Sequence, residues 1–164
     1  MRLDDYPDAT QWITRFPNVI VSRTFSKAFG LAALRVGYSV SHPDVADLLN
    51  RVRQPFNVNS FAQAGAVAAL DDDEYLAESI RVNDEGLVQL SQGLDKLGLT
   101  YIPSVGNFVA VNVGRPVAEV DKALLMEGVI TRPVENYGLQ HHLRISVGLQ
   151  AENARALIAL EKVL

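Results

Sequence analysis

Apolar and polar positions follow two different periods along the chain, which together predict a mixed α/β fold. Short apolar runs bounded by turn-forming residues predict strands, and apolar residues near helical spacing predict helices. The predicted strands cover residues 19–22, 37–40, 100–103, 107–112, 129–132 and 143–147. The predicted helices cover residues 9–16, 43–52, 60–70, 73–97, 116–127 and 151–163.

Capping residues support several of these helix boundaries. Pro43 suits the first position of one helix, and Asn59 or Ser60 suits the cap of the next. In the first predicted helix, we expect Trp12 and Ile13 to face inward.

The longest predicted helix, residues 73–97, follows an acidic run that begins at Asp71. Acidic residues at a helix start complement the helix dipole, and we favour this interpretation over a cation site. Gly98 then suits the end of the helix.

The composition of the chain excludes several kinds of partner and of site. The formal net charge of −4 at pH 7 argues against nucleic acid or an anionic membrane surface as a partner. The chain has no cysteine, so disulfides and thiolate metal sites are excluded. No apolar run approaches the ~20 residues of a membrane span, and the amino terminus lacks the apolar core of a signal peptide. We therefore expect a cytoplasmic protein.

The segment around Lys27 carries the most informative chemistry. Lys27 follows a predicted buried strand and a turn that contains the hydroxyls of Thr24 and Ser26. Arg35 adds a planar fork of donors that suits a dianionic phosphate. An amine for a Schiff base, with hydroxyls and a guanidinium for a phosphate, is what pyridoxal phosphate chemistry requires. The segment therefore predicts a lysine-anchored cofactor site.

Two further features of this segment bear on that prediction. A lysine amine attacks an aldehyde only when uncharged, so we expect either partial burial, for which Phe25 and Phe29 could supply a dry wall, or a neighbouring cation to favour the uncharged form of Lys27. Gly30 and Gly37 allow positive φ or close backbone approach, which a tight cofactor loop often needs. The alternative is a solvated lysine beside an ordinary Ser/Thr turn.

Three blocks of sequence, in order and spacing, resemble the fold-type I aminotransferases. Residues 24–38, TFSKAFGLAALRVGY, resemble the family's lysine segment in the form seen in histidinol-phosphate aminotransferases and their close relatives. Residues 54–64, QPFNVNSFAQA, are similar to the segment that follows the cofactor arginine. Residues 143–148, LRISVG, are similar to the strand that carries the carboxylate-binding arginine.

This resemblance implies the carboxy-terminal part of a fold-type I, pyridoxal-phosphate-dependent transferase of the α/β class. Residues 1–72 would end the large cofactor-binding domain, residues 73–97 would form the connecting helix, and residues 98–164 would form a small domain with a largely antiparallel sheet. Complete family members are roughly twice as long and supply further cofactor contacts upstream. We therefore expect a carboxy-terminal fragment that is inactive alone.

The resemblance also implies roles for individual residues. Lys27 would be the catalytic lysine, and Thr24, Ser26, Lys27 and Arg35 would bind the cofactor. Arg144 would bind the substrate carboxylate, and the alternative is a carboxylate partner within its own domain.

Other polar residues near Arg144 divide into candidates and loop residues. Arg132 would help bind a phosphate or carboxylate, and its alternative is a solvated loop arginine. Asn107 matches a family position near the active site, with an ordinary turn asparagine as the alternative. His141 and His142 are interpreted as loop residues, because neighbours on a strand point to opposite sides and do not readily chelate one metal ion.

The implied reaction exchanges an amino group between L-histidinol phosphate and 2-oxoglutarate, within histidine biosynthesis, by a homodimer that contains pyridoxal 5'-phosphate. Three alternatives remain open. They are an aromatic aminotransferase, a threonine-phosphate decarboxylase, and a folded fragment without catalytic activity.

Overall fold

The computed structural model describes residues 7–164. They divide into a first unit that ends at Ser79 and a second unit, Ile80–Leu164. The strands are β1 (Ile20–Thr24), β2 (Gly37–Ser41), β3 (Tyr101–Ile102), β4 (Phe108–Asn112), β5 (Arg132–Pro133) and β6 (His142–Ser146). The α-helices are α1 (Pro43–Val52), α2 (Ser60–Leu70), α3 (Asp73–Lys96), α4 (Val117–Met126) and α5 (Gln150–Val163). Short 3-10 helices cover Ala9–Trp12, Ala32–Leu34 and Glu135–Tyr137.

The first unit is built around the antiparallel pair β1–β2, with helices α1 and α2 after it. The segment between the two strands contains Lys27. Four buried residues form a small core in this unit: Phe25, Val36, Ala62 and Ala66. Asn59 caps α2 by accepting a hydrogen bond from Ala62 N at 2.9 Å, as predicted.

The second unit is a four-stranded sheet in the order β3-β4-β6-β5, with every neighbouring pair antiparallel. The face that carries Val109, Val111, Leu143 and Ile145 is buried against α3, α4 and α5. The predicted antiparallel character of this sheet is therefore confirmed. Gly98, at φ +69°, follows the end of α3 in the conformation that a helix-terminating glycine adopts.

Two predictions near the amino terminus are wrong. The predicted helix over residues 9–16 is a single 3-10 turn, Ala9–Trp12, capped by the side chain of Asp8. Ile13 is buried as expected, but Trp12 is nearly half exposed. Neighbouring residues of a 3-10 turn lie on different sides of it, so burial of Ile13 does not bring Trp12 inward.

Two predictions in the second unit are also wrong. The predicted strand over residues 129–132 is the two-residue β5, because pairing with β6 begins only at Arg132. Ile130, in the middle of the apolar run, is 85% exposed. His142 is the first residue of β6 and pairs with Asn112, whereas the sequence predicted a loop.

Candidate functional site

The turn after β1 brings together the hydroxyls predicted to bind a phosphate. Thr24 is the last residue of β1, and its Oγ1 accepts a hydrogen bond from Ser26 N at 3.0 Å. The register then places Thr24 opposite Gly37 of β2. A Cβ on Gly37 would lie 2.5 Å from Arg23 O, so the close pairing of the strands requires glycine there.

The side chain of Arg35 contacts the same turn. Its backbone is left-handed, with φ 53° and ψ 48°, directly after the 3-10 helix Ala32–Leu34. Arg35 Nη1 donates to Ala32 O at 2.7 Å and to Ser26 Oγ at 3.4 Å. A non-glycine residue in this conformation is uncommon. The side chain of Arg35 is held here by hydrogen bonds to Ser26 and Ala32.

Lys27 is exposed in this chain, where the sequence predicted partial burial or a neighbouring cation. Phe25 and Phe29 pack against each other instead, with ring centroids 4.8 Å apart. Phe25 belongs to the core of this unit and Phe29 packs against that core, whereas Lys27 between them is exposed. The side chain of Lys27 is therefore accessible to a ligand.

An open depression of about 340 Å³ lies beside this turn. Its lining includes three of the four predicted cofactor-binding residues, Thr24, Ser26 and Arg35. The sequence prediction missed Ser22 and Arg23, which also line it. The signal for them was their position in β1, immediately before Thr24. Among residues 7–164, the lining contains hydroxyls and guanidinium groups but no carboxylate.

Arg144 lies at the middle of β6, in the second unit. Leu143 and Ile145 on either side are buried, so Arg144 points to the opposite face of the sheet. Its Cζ lies 5.2 Å from the centre of the Phe108 ring, and its Nε is buried without a hydrogen-bond partner. The alternative of a carboxylate partner finds no support, since Arg144 forms no ion pair within residues 7–164.

Arg132 of β5 lies directly opposite Arg144 in the sheet. Like charges in directly opposite positions of an antiparallel pair destabilise it unless an anion lies between them. Directly paired residues share one face of a sheet, so a carboxylate or a phosphate bound at that face would offset both charges.

Asn107 and the two histidines lie around the same strands. Asn107 directly precedes β4, and its carbonyl accepts a hydrogen bond from Val147 N at 2.9 Å. His142 shares the Arg144 face of β6, and its Nδ1 is buried without a hydrogen-bond partner. In the part of the chain that the structure describes, no group of three or more His, Cys, Asp or Glu residues could hold a metal ion.

The predicted site residues thus fall into two groups. The first unit holds Lys27 with Thr24, Ser26 and Arg35, and the second unit holds Arg144 with Arg132 and Asn107.

Among residues 7–164, none of the helices combines the length and the apolar character that a membrane span requires.

Comparison with known proteins defines the class. The model of the family "Aminotransferase class I and II" matches residues 3–160, and the chain belongs to this family. It is 62% identical over 160 residues to histidinol-phosphate aminotransferase 2 of Pseudomonas fluorescens strain Pf-5. The match covers 98% of this chain and 43% of that relative, in its carboxy-terminal portion.

Solved structures agree with this fold. A histidinol-phosphate aminotransferase from Sinorhizobium meliloti, solved in complex with pyridoxal-5'-phosphate, matches with a TM-score of 0.79 and 34% identity, over 90% of this chain and 41% of that one. An L-threonine-O-3-phosphate decarboxylase from Porphyromonas gingivalis matches with a TM-score of 0.83 and 27% identity, over 93% of this chain and 49% of that one. The predicted fold class, the carboxy-terminal part of a fold-type I transferase, is confirmed.

Proposed function

We propose that this chain is the lysine-bearing part of a pyridoxal-phosphate-dependent histidinol-phosphate aminotransferase. The observation that carries the proposal is the turn after β1, where two hydroxyls and Arg35 surround one depression next to an exposed Lys27. The 62% identity to the Pseudomonas fluorescens enzyme supports the choice of substrate. The chain spans 43% of that relative, so we propose that activity requires the rest of the family's length.

The turn fits the phosphate of this cofactor. Thr24 and Ser26 have hydroxyls that donate to phosphate oxygens, and Arg35 adds a charged fork. Arg35 has no carboxylate partner within the described residues, so an anion would meet an unpaired cation. We assign the phosphate to Thr24, Ser26 and Arg35, and covalent attachment to Lys27 Nζ.

The proposed mechanism assigns each residue one task. When bound, the cofactor supplies an electron-withdrawing ring that stabilises negative charge at the substrate Cα. Lys27 Nζ acts first as a base and then as an acid, and so moves the Cα proton. Arg144 holds the substrate carboxylate and fixes the orientation of the bonds at Cα. Arg132 and Asn107 contribute to the same substrate surface.

Two alternatives concern the reaction catalysed on this fold. The likeness to the Porphyromonas gingivalis decarboxylase favours neither reaction, because both kinds of enzyme share the fold. An aromatic aminotransferase would use the same Lys27 and Arg144 with a different amino donor. We propose further that the complete enzyme is a cytoplasmic homodimer with an amino donor and a 2-oxo acid as its small-molecule partners.

The test compares the chain alone with a fused enzyme. In the fused enzyme, this chain follows the part of the Pseudomonas fluorescens relative that precedes the matched region. We expect the fused enzyme to transfer the amino group of L-histidinol phosphate to 2-oxoglutarate, the Lys27→Ala fused enzyme to be inactive, and the chain alone to be inactive. Measurable turnover by the chain alone would contradict the requirement for the rest of the family's length.

Product analysis separates the alternative reactions. Carbon dioxide released from threonine phosphate by the fused enzyme would identify a decarboxylase. Faster transfer from aromatic amino acids than from histidinol phosphate would identify an aromatic aminotransferase.

A further inference from the structure

A buried amide side chain holds the segment that follows β6. Asn153, on α5, is 2% exposed and is the one buried polar residue among residues 7–164. Its Oδ1 accepts from Gly148 N at 2.9 Å, and its Nδ2 donates to Gly148 O at 3.0 Å. The same Nδ2 donates to Gln89 Oε1 of α3 at 3.1 Å. Because an unpaired buried amide is costly, these bonds favour one arrangement of all three residues.

The next two residues are held by the same two helices. Gln89 Nε2 donates to Gln150 O at 3.0 Å, and Leu149 N donates to Glu152 Oε2 at 2.7 Å. Residues 148–150 are therefore fixed from α3 by Gln89 and from α5 by Glu152 and Asn153. We name this set, residues 148–150 with these three side chains, the β6–α5 clasp.

Gly86 allows α3 to lie against the clasp. A Cβ at this position would come within 2.3 Å of Val147 Cγ1 and 3.0 Å of Asn153 Nδ2. Glycine weakens the interior of a helix, so its presence in α3 is explained by this close approach.

The clasp lies at the end of the strand that carries Arg144. Val147 N donates to Asn107 O, so the ladder between β4 and β6 continues to the residue before Gly148. Arg144 lies three residues before Val147, and its neighbours Leu143 and Ile145 are packed in the core. A shift of the strand end would displace both Arg144 and Asn107, and small displacements of a binding group weaken substrate binding strongly.

We propose that Asn153 and Gln89 are positioning residues that fix the end of β6, so that Arg144 presents its guanidinium to the substrate carboxylate. The proposal rests on the proposed function, because it takes Arg144 to bind that carboxylate. Loss of either side chain then weakens the binding of a carboxylate substrate and leaves the Lys27 turn of the first unit intact.

The experiment uses the fused enzyme with Gln89→Ala, Asn153→Ala and the matched control Gln92→Ala. Gln92 lies one turn along α3 and has no hydrogen bond from its side chain within the described residues. We expect Gln89→Ala to raise KM for 2-oxoglutarate about five- to tenfold, with kcat within about twofold. We expect Gln92→Ala to change neither.

A binding measurement gives a readout independent of turnover. In the pyridoxal-phosphate form, 2-oxoglutarate binds without accepting an amino group, so calorimetry gives its Kd. Gln89→Ala should raise this Kd by the same factor as KM in the parent enzyme. In an Arg144→Ala background, Gln89→Ala should raise the Kd less than about twofold, because the guanidinium that Gln89 positions is absent.

The contrary results are equally specific. An equal Kd factor in both backgrounds, or a lower melting temperature with an unchanged Kd, would overturn the positioning role and leave a structural one. If Asn153→Ala does not fold, Gln89→Ala carries the test, since Gln89 is only partly buried. A fused enzyme that binds 2-oxoglutarate but does not transaminate contradicts the proposed function, while the calorimetric comparison still decides the clasp.

Discussion

The two units of the chain differ in how completely each buries its apolar residues. Among the described residues, the second unit has a core of thirteen buried residues, which come from the helices α3, α4 and α5, the strands β4 and β6, and Val113. The corresponding cluster of the first unit has four residues, and its loop and helix surface carries Phe56 and Phe61 at 96% and 81% exposure. The units therefore differ in the size of the core that their described residues form.

This difference separates the two groups of candidate site residues. Arg144 lies on a strand that the core of its own unit holds in place. Lys27 lies in a turn held by local hydrogen bonds, in a unit with a small core. We therefore expect Arg144 to be ordered in the chain alone, and Lys27 to take up its proposed role only when the rest of the family's length is present.

The largest expected effect comes from the same substitution in each unit. Leu143→Ala removes a fully buried side chain of the second unit and should lower the free energy of unfolding by about 2–5 kcal/mol. Leu48→Ala, at an exposed position of α1, should change it by less than about 0.5 kcal/mol. Urea unfolding of the whole chain, followed by circular dichroism, measures both. Equal losses would contradict the burial of Leu143 in the core of the second unit.

A second pair of substitutions separates cofactor binding from substrate binding. In the fused enzyme, Arg35→Ala should weaken pyridoxal phosphate binding about a hundredfold, because it removes a charged phosphate donor. Arg144→Ala should raise KM for 2-oxoglutarate by a similar factor and leave cofactor affinity unchanged. Equilibrium dialysis and steady-state kinetics make the two measurements.

Arg51→Ala is the control for both, since Arg51 is exposed on α1 and forms an ion pair with Asp47 at 2.6 Å. If Arg35→Ala altered KM while cofactor affinity stayed the same, its assignment to the phosphate would be wrong.

Elements with strong local signals were predictable from the sequence. Pro43 starts α1, Asn59 caps α2 and Gly98 ends α3, because each residue satisfies a requirement of the helix terminus itself. Arg144 was predicted as a site residue because a guanidinium within an apolar strand needs an anion, and its buried Nε has no hydrogen-bond partner among the described residues.

Features that depend on distant pairing were not predictable. Val129 and Ile130 have the composition of a strand, but β5 begins at Arg132 because its partner on β6 is Arg144. His142 follows a turn-like segment, yet pairing with Asn112 places it in β6. The clasp was missed for the same reason, because Gln89 and Asn153 lie 64 residues apart in the chain.

The smallest expected effect concerns Asp8, at the amino-terminal edge of the first unit. Hydrogen bonds from Thr10, side chain first and then backbone, lower the pKa of Asp8, and the charge of Arg23 adds to this. The folded state therefore favours the carboxylate. The stabilisation is present above the ordinary carboxyl pKa and is lost as pH falls through the lowered value. Titration of the chain by NMR should show a lowered Asp8 pKa, and Asp8→Asn should remove this part of the pH dependence.

Reductive trapping of pyridoxal phosphate tests the central claim, that Lys27 anchors the cofactor. The fused enzyme is incubated with pyridoxal phosphate and reduced with borohydride, and its peptides are mapped by mass spectrometry. Within this chain the other lysines are Lys96, Lys122 and Lys162. We predict a single phosphopyridoxyl group on Lys27 and none on this chain in the Lys27→Ala variant. Specific labelling of another lysine, with Lys27 unmodified, would contradict the assignment.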